Sequence, residues 1–245
     1  MKIKFDQKLI KSTIKSRINR FIFIIEINGE EVEAHCPTGG IIAGLSRKDI
    51  KDLPCLISDH GLNTSRRTRY TVEALSLDDG LTYMGINQTK SNRYVEEFLK
   101  DKEVASKLQI SDSIKREKRL GNSRIDFKVD DCYIEVKTMV AEYYCEPSDK
   151  LKALMRQPHP SVERMQKHVN ELANELKAHN SRAAIITVFQ YDAPTFEPPV
   201  DDPVYADFVK DLESAKAAGL KQYQMNIKIT EEYAELVRFE ENEAV

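Results

Sequence analysis

Ser123-Arg-Ile-Asp-Phe-Lys-Val129 and Cys132-Tyr-Ile-Glu-Val-Lys137 are the two segments on which the fold of this chain turns. In the first, Ile125, Phe127 and Val129 alternate with Asp126 and Lys128. In the second, Ile134 and Val136 alternate with Tyr133, Glu135 and Lys137. Successive side chains of a strand point to opposite faces, so each segment predicts a strand with one apolar and one polar face. A tight turn at 130–132 joins them, and matching the apolar faces fixes the register parity. Asp126 then falls opposite Glu135 or Lys137, on the same surface. Two carboxylates with open positions suit a hard, water-retaining cation such as Mg²⁺. Such an ion polarises a phosphodiester and lowers the pKa of a bound water. Lys137 can orient that water or offset charge developing on the phosphate. The same pattern also reads as a polar outer face tied together by cross-strand salt bridges.

The segments outward from this hairpin complete an α/β unit. Asn92–Ala105 is predicted helical, with Tyr94, Val95, Phe98 and Leu99 on one side. In Ser161–His179, Val162, Met165, Val169, Leu172 and Leu176 recur at helical spacing, and Ser161 stands at the N-cap. Ala183–Gln190 is an apolar run fit for a buried strand. A helix opened by Pro203 and stopped by Gly219 follows, then a strand at Lys221–Thr230. This order implies a sheet with helices packed on it.

Residues 1–85 read instead as mainly β. Phe21–Ile27 and Glu31–His35 flank Asn28-Gly29, a strong hairpin signal because both turn positions need positive φ. Further strands are predicted at Leu53–Ser58, Arg69–Leu77 and Leu81–Gly85, with a breaker-rich loop from Cys36. Five short strands in so few residues suggest a small barrel or a curled sheet. The domain boundary is placed at 86/87.

Composition narrows the function. The chain has 245 residues, 41% hydrophobic and 31% charged, with a net charge of −3, which excludes disordered and collagen-like classes. No apolar run approaches the roughly 18 residues of a membrane span. The first residues lack the apolar core of a secretory signal. The four cysteines form no CxxC pair, so buried thiols in a cytoplasmic protein are expected rather than disulfides or zinc. Residues 192–245 hold 13 acids and 5 bases, which leaves 32 bases and 27 acids in 1–191. Bases concentrate in residues 1–20, at Arg66, Arg67 and Arg69, and between Lys107 and Arg124. Such clusters can converge into a phosphate-attracting surface.

The helix–hairpin–helix–strand order around the acids resembles the catalytic core of PD-(D/E)xK nucleases. The whole chain resembles the sugar fermentation stimulation protein A family, described as DNA/RNA nucleases or DNA-binding proteins. The residues that carry this are His35-Cys-Pro with Thr38-Gly-Gly, Asn92-Arg93, Ser123–Phe127, Cys132–Lys137, Glu163-Arg164 and Gln166-Lys-His168. The resemblance implies a two-domain α+β protein, with an N-terminal OB-like β-barrel at 1–86 and a PD-(D/E)xK nuclease-like α/β domain at 87–245. It implies Asp126 and Glu135 as metal ligands, Glu97 completing the metal site, and Lys137 as the catalytic lysine. The cofactor would be Mg²⁺, with Mn²⁺ as a substitute.

DNA or RNA is the expected partner, and no membrane. Arg66, Arg67 and Arg69 with Tyr70 and Tyr83 offer the charge-plus-stacking mix of an oligonucleotide-binding barrel. His35, Arg124 and Gln166 are the other candidate nucleic-acid contacts. Two departures concern substrate contacts. The family's His-Cys-Pro-Asn-Thr-Gly reads His35-Cys-Pro-Thr-Gly-Gly here, and an Asp before the long helix is His159. The alternative to a nuclease is a non-cleaving DNA-binding regulator of sugar-fermentation genes. The intact Asp126, Glu135 and Lys137 favour the nuclease, because carboxylates repel a phosphate unless a cation intervenes.

Overall fold

The computed structural model describes residues 1–45, 49–62, 65–111, 113–139, 162–197 and 206–243. Its first strand, β1 (Lys2–Lys4), belongs to a sheet completed much later in the chain. The strands β2 (Ile10–Asn19), β3 (Ile22–Ile27) and β4 (Glu30–His35) form an antiparallel meander. Asn28 and Gly29 turn β3 into β4 with φ of 52° and 83°, the positive pair that a two-residue hairpin needs. β5 (Pro54–Asp59) runs antiparallel to β2, and β6 (Tyr70–Leu75) antiparallel to β5. Ala34 and His35 of β4 then pair in parallel with Tyr70 and Thr71, which closes a five-stranded barrel. Register shifts after Ile14 and Arg17 bend β2, as closure requires. β7 (Met84–Gly85) extends β6 at one edge. The expected OB-like barrel is therefore present, filled by Ile14, Phe23, Ile25, Val72 and Leu75.

The second sheet has the order β1-β13-β12-β11-β10-β9-β8. It is built from α1 (Gln88–Phe98), α2 (Lys102–Leu108), β8 (Lys115–Leu120), β9 (Ser123–Val129), β10 (Cys132–Met139), α3 (Val162–Ala178), β11 (Arg182–Phe189), α4 (Ala206–Ala217), β12 (Lys221–Ile229) and β13 (Tyr233–Glu241). The pairs β10–β11 and β11–β12 are parallel, and α3 and α4 supply the crossovers that parallel pairing demands. The other pairs are antiparallel. Alternation sorts the core. Ile134, Ala184, Ile186 and Val188 pack toward Tyr94, Val95 and Phe98 of α1 and toward Leu56 and Ala74 of the barrel. Tyr133, Ala183 and Ile185 pack against Val169 and Leu172 of α3 and Leu212 of α4. Sheet and barrel thus share one apolar interface, with α3 and α4 on the sheet's far side.

Several expectations change. The helix expected over Asn92–Ala105 is two helices. The chain turns after Leu99, and the Asp101 carboxylate restarts it by accepting the Glu103 N–H at 2.9 Å. Residues 1–86 are not barrel throughout, since β1 pairs with β13 and Phe5 and Leu9 bond to Glu232 and Glu231 carbonyls. β2 and β8 carried no strand signal because their polar residues hide the alternation. Only Ile14 and Arg17 of β2, and only Leu120 of β8, are buried. Cys36, Cys55 and Cys132 are buried free thiols, and burial pushes Cys55 up to about 12. Cys145, His159, Ser161 and Pro203 lie outside the described residues. Among those described, no helix is long and apolar enough to cross a membrane.

Candidate active site

Asp130 and Asp131 form the turn between β9 and β10, with Val129 opposite Cys132 and Asp130 at φ 53°. The ladder runs only to Ile134 opposite Phe127. One step further, Asp126 stands across from Glu135, and there the two strands stop exchanging backbone bonds. The Asp126 side chain fills the gap, its Oδ2 accepting the Val136 N–H at 2.8 Å. On the other side, the β8 ladder skips from Lys118–Ile125 to Arg116–Phe127, with Glu117 at φ 49°. The interruption at Asp126 changes which side the strand faces. Strict alternation puts Ile125 and Phe127 together, yet Ile125 packs with Val169 of α3 and Phe127 with Ile134 in the opposite core.

Asp126 therefore sits where both layers reach it. From α1, Asn92 Nδ2 donates to Asp126 Oδ1 at 2.7 Å. From α3, His168 Nδ1 bonds to Glu135 Oε1, to which Lys137 Nζ also donates at 2.7 Å. A carboxylate only accepts, so Nδ1 carries the hydrogen in this contact. Lys137 Nζ, 3.2 Å from that nitrogen, is then its neighbour rather than its partner. Glu135 and His168 are buried, and Asp126 and Lys137 are half-buried.

Burial, and next the charge of Glu135, push the Asp126 carboxyl above its ordinary range. Burial also acts to raise Glu135, but the His168 and Lys137 contacts outweigh it and hold that carboxyl low. Glu135 Oε2 is buried and meets no hydrogen-bond partner among the described residues. An unmatched buried carboxylate oxygen is costly unless a donor or cation meets it.

The structure brings Asp126, Glu135 and Lys137 together and adds Asn92 and His168, which the sequence reading did not assign to the site. Both stand in motifs that carried the family resemblance, and that was the available signal. Glu97 is not brought in. It lies five residues beyond Asn92, about 140° around the helix, and its half-exposed carboxylate pairs with Lys100 at 2.6 Å. Among the described residues, no three His, Cys, Asp or Glu side chains are arranged to hold a metal ion. The donor set fits a cation held by two carboxylates and otherwise by water or substrate oxygens, the usual habit of Mg²⁺.

The candidate nucleic-acid contacts divide. Arg66, Arg67 and His35 line one depression together with Arg20 and Phe21. It lies between the β2–β3 turn and the β5–β6 loop, the two loops by which OB barrels take oligonucleotides. Phe21 is 46% exposed, and the Arg20 guanidinium stands 4.7 Å over its ring. Arg69 is turned to a two-pronged pair with Asp59 at 2.7 and 2.6 Å, and that pair holds the Asp59 carboxyl low. Arg124, exposed on β9, pairs with Glu117 at 3.3 Å. Gln166 does not reach the site, because its amide donates to Asp211 of α4 at 2.7 Å. The altered loop after His35 is held from within. Arg17 donates to the carbonyls of Thr38 and Gly40, and Thr38 Oγ1 donates to the Ile86 carbonyl.

A sequence profile described as "Sugar fermentation stimulation protein RE domain" matches residues 89–233. The sugar fermentation stimulation protein homolog of Clostridium perfringens strain 13 is 31% identical over 241 residues, covering 96% of this chain and 97% of its own. That of Sinorhizobium medicae is 30% identical over 236 residues, covering 93% and 92%. Among solved structures, Pyrococcus furiosus SfsA in complex with Ca²⁺ aligns with a TM-score of 0.68 over 98% of this chain and 97% of that one. At 20% identity the likeness concerns the fold.

Proposed function

Since the chain belongs to the sugar fermentation stimulation protein family, we propose that it is a metal-dependent nuclease that hydrolyses phosphodiester bonds of DNA or RNA. The relatives' names give no reaction, so the site carries the proposal. The supporting observation is the juxtaposition of Asp126 with Glu135, one carboxyl pushed up and the other with a buried oxygen that meets no partner among the described residues. Adjacent carboxylates destabilise one another in a poorly solvated place, and a divalent cation removes that conflict. Bound there, Mg²⁺ or Mn²⁺ would supply a Lewis acid and a water of lowered pKa.

The protein's own groups do the positioning. Asn92 and the Val136 N–H fix both oxygens of Asp126. His168 and Lys137 fix Oε1 of Glu135 and leave Oε2 as the open acceptor. The Lys137 ammonium is close enough to meet negative charge developing on a phosphate. The Ca²⁺ of the Pyrococcus protein is a hard, oxygen-seeking ion of the same class. In the barrel, Phe21 offers a base-stacking surface beside Arg20, Arg66 and Arg67.

The reading as a non-cleaving DNA-binding regulator has one observation in its favour. Lys137 and His168 already meet the charge of Glu135 from within the protein. Labelled single- and double-stranded DNA and RNA, incubated with Mg²⁺, Mn²⁺ or EDTA, separate the two. Metal-dependent cleavage that disappears in Asp126→Ala is the expected result. For Lys137→Ala, cleavage should disappear with binding largely intact. Bound but uncut nucleic acid under every metal overturns the nuclease in favour of the regulator.

A further inference from the structure

The basic residues between Lys107 and Arg124 have so far contributed only Arg124. Four of the others lie on β8, the outermost strand of the second sheet. Its sequence, Lys115-Arg-Glu-Lys-Arg-Leu120, is exposed everywhere but at Leu120. Its charges are unevenly answered. Arg116 reaches Glu96 on α1 at 3.4 Å, and Glu117 is taken by Arg124. Lys115, Lys118 and Arg119 meet no carboxylate of the described residues within ion-pair distance. Among the described residues, Arg119 makes only a long 3.4 Å contact to the Gly121 carbonyl.

The register places these three cations around the site. Lys118 stands opposite Ile125, which packs into the α3-side core. Lys115 stands opposite Lys128, whose ammonium lies 4.2 Å over the Tyr133 ring in that same core. Both lysines therefore share the α3 side of the sheet with Glu135 and Lys137. Arg119, opposite Arg124, falls on the other side. The unanswered charges thus straddle the rim one strand away from Asp126, and neighbouring strands are only about 4.8 Å apart. The rim is braced relative to the site. The Asn122 N–H at the hairpin tip bonds to Glu171 Oε1 at 3.2 Å, one turn along α3 from His168.

We propose that the β8–β9 hairpin is a second nucleic-acid contact, distinct from the barrel, which grips the sugar-phosphate backbone through Lys115, Lys118 and Arg119 beside the scissile bond. The inference rests on the reading of the chain as a nucleic-acid enzyme. Its occupant follows from charge complementarity, since three cations that meet no carboxylate among the described residues, at an exposed rim, are matched by a run of phosphates and not by a neutral ligand. The competing explanation is edge protection, because charged side chains also keep an open strand from pairing with another sheet. Protection needs charge of either sign, paired or not. At the opposite rim, Lys2 of β1 is paired with Glu235.

The test is the salt dependence of binding. Wild type, Lys115→Gln/Lys118→Gln/Arg119→Gln and, as the barrel control, Arg66→Ala/Arg67→Ala are titrated with labelled duplex and single-stranded DNA and RNA. EDTA is present, and salt runs from about 50 to 200 mM. The expected result is weaker binding by the triple variant, with a log–log salt slope shallower by about 2.7 on duplex or about 2 on single strand, the counterion release of three phosphate contacts. Its thermal midpoint and elution volume should match wild type. If the triple variant is poorly folded, Arg119→Gln alone gives the same test, with a slope change of about 0.7–0.9. An unchanged slope while wild type and barrel control differ overturns the hairpin assignment and leaves the nuclease reading standing. Self-association of the variant at unchanged slope does the same and identifies edge protection. A wild type that binds no nucleic acid overturns the parent reading, and this one with it.

Discussion

Gly85→Ala tests how the barrel is joined to the candidate site. Gly85 ends the barrel in β7, and its N–H donates to the Gln190 carbonyl at 2.9 Å. A Cβ added there would overlap the Gln190 amide oxygen and stand 2.7 Å from the Gln190 Cβ. Gln190 cannot swing away freely. It is 1% exposed, and its amide donates to the Asn87 carbonyl at 3.0 Å and to Ser91 Oγ at 2.9 Å, at the start of α1. Overpacking a close-packed site costs about 1–3 kcal/mol. Displacing the amide also leaves buried groups unpaired at about 1–3 kcal/mol. A total of about 2–6 kcal/mol is expected, which for a chain of this size lowers the thermal midpoint by roughly 4–24 °C. Because α1 carries Asn92 to Asp126, the metal-dependent cleavage proposed above should fall even below the melting range.

Urea unfolding and calorimetry measure the first effect. Gly40→Ala is the control, since a Cβ there meets nothing within 4 Å. Gln190→Gly alone should destabilise, yet in that background Gly85→Ala should cost much less than in wild type, because the colliding amide and Cβ are both gone. A Gly85→Ala protein within about 0.5 kcal/mol of wild type, or costs that simply add in the double variant, would refute the packing argument.

Three further outcomes follow from the same geometry. Glu97→Gln should leave divalent-ion binding, read by calorimetric titration, unchanged, while Glu135→Gln should abolish it; loss in both would restore Glu97 to the site. Arg182→Ala removes a two-pronged pair with Asp131 and a 2.8 Å bond to the Leu108 carbonyl of α2, and should cost about 1 kcal/mol after allowance for its partial exposure. Arg182 holds the Asp131 carboxyl low, so the pair's contribution is full above about pH 4 and is lost as pH falls through the depressed value. Wild type and variant should therefore converge in acid urea melts, and a gap that widens there contradicts the assignment. Asp101→Ala removes the cap of α2 and should cost about 1 kcal/mol in the same melts, whereas Asp101→Asn should restore most of it.

Much was legible in the sequence where local physics dominates. Asn28-Gly29 can turn only one way, so that hairpin was readable from two residues. The alternations in Ser123–Val129 and Cys132–Lys137 gave both strands, and the tight turn put Asp126 on the same surface as Glu135 and Lys137, opposite one or the other; the structure fixed that register. The spacing of Val169 and Leu172 gave the buried face of α3. None of these needs a distant partner, because strand alternation, turn φ and helix periodicity are set within a few residues.

The tertiary structure alone decided the rest. Lys2–Lys4 is only three residues long, too short for its alternation to identify a strand, and pairing with β13, more than 200 residues later, makes it one. Gln166 and His168 share one helix and one motif. The crossover sends the first to Asp211 on α4 and the second to Glu135. Glu97 and Asn92 share α1, but rotation about the helix gives Asp126 to Asn92 and leaves Glu97 to Lys100. The sequence by itself determined which carboxylates share a surface, since that is a matter of parity along neighbouring strands. Which amide, imidazole and ammonium surround them was decided by how α1 and α3 dock on the two faces of the sheet. That docking is set by side chains far apart in the chain, which meet only when the core closes.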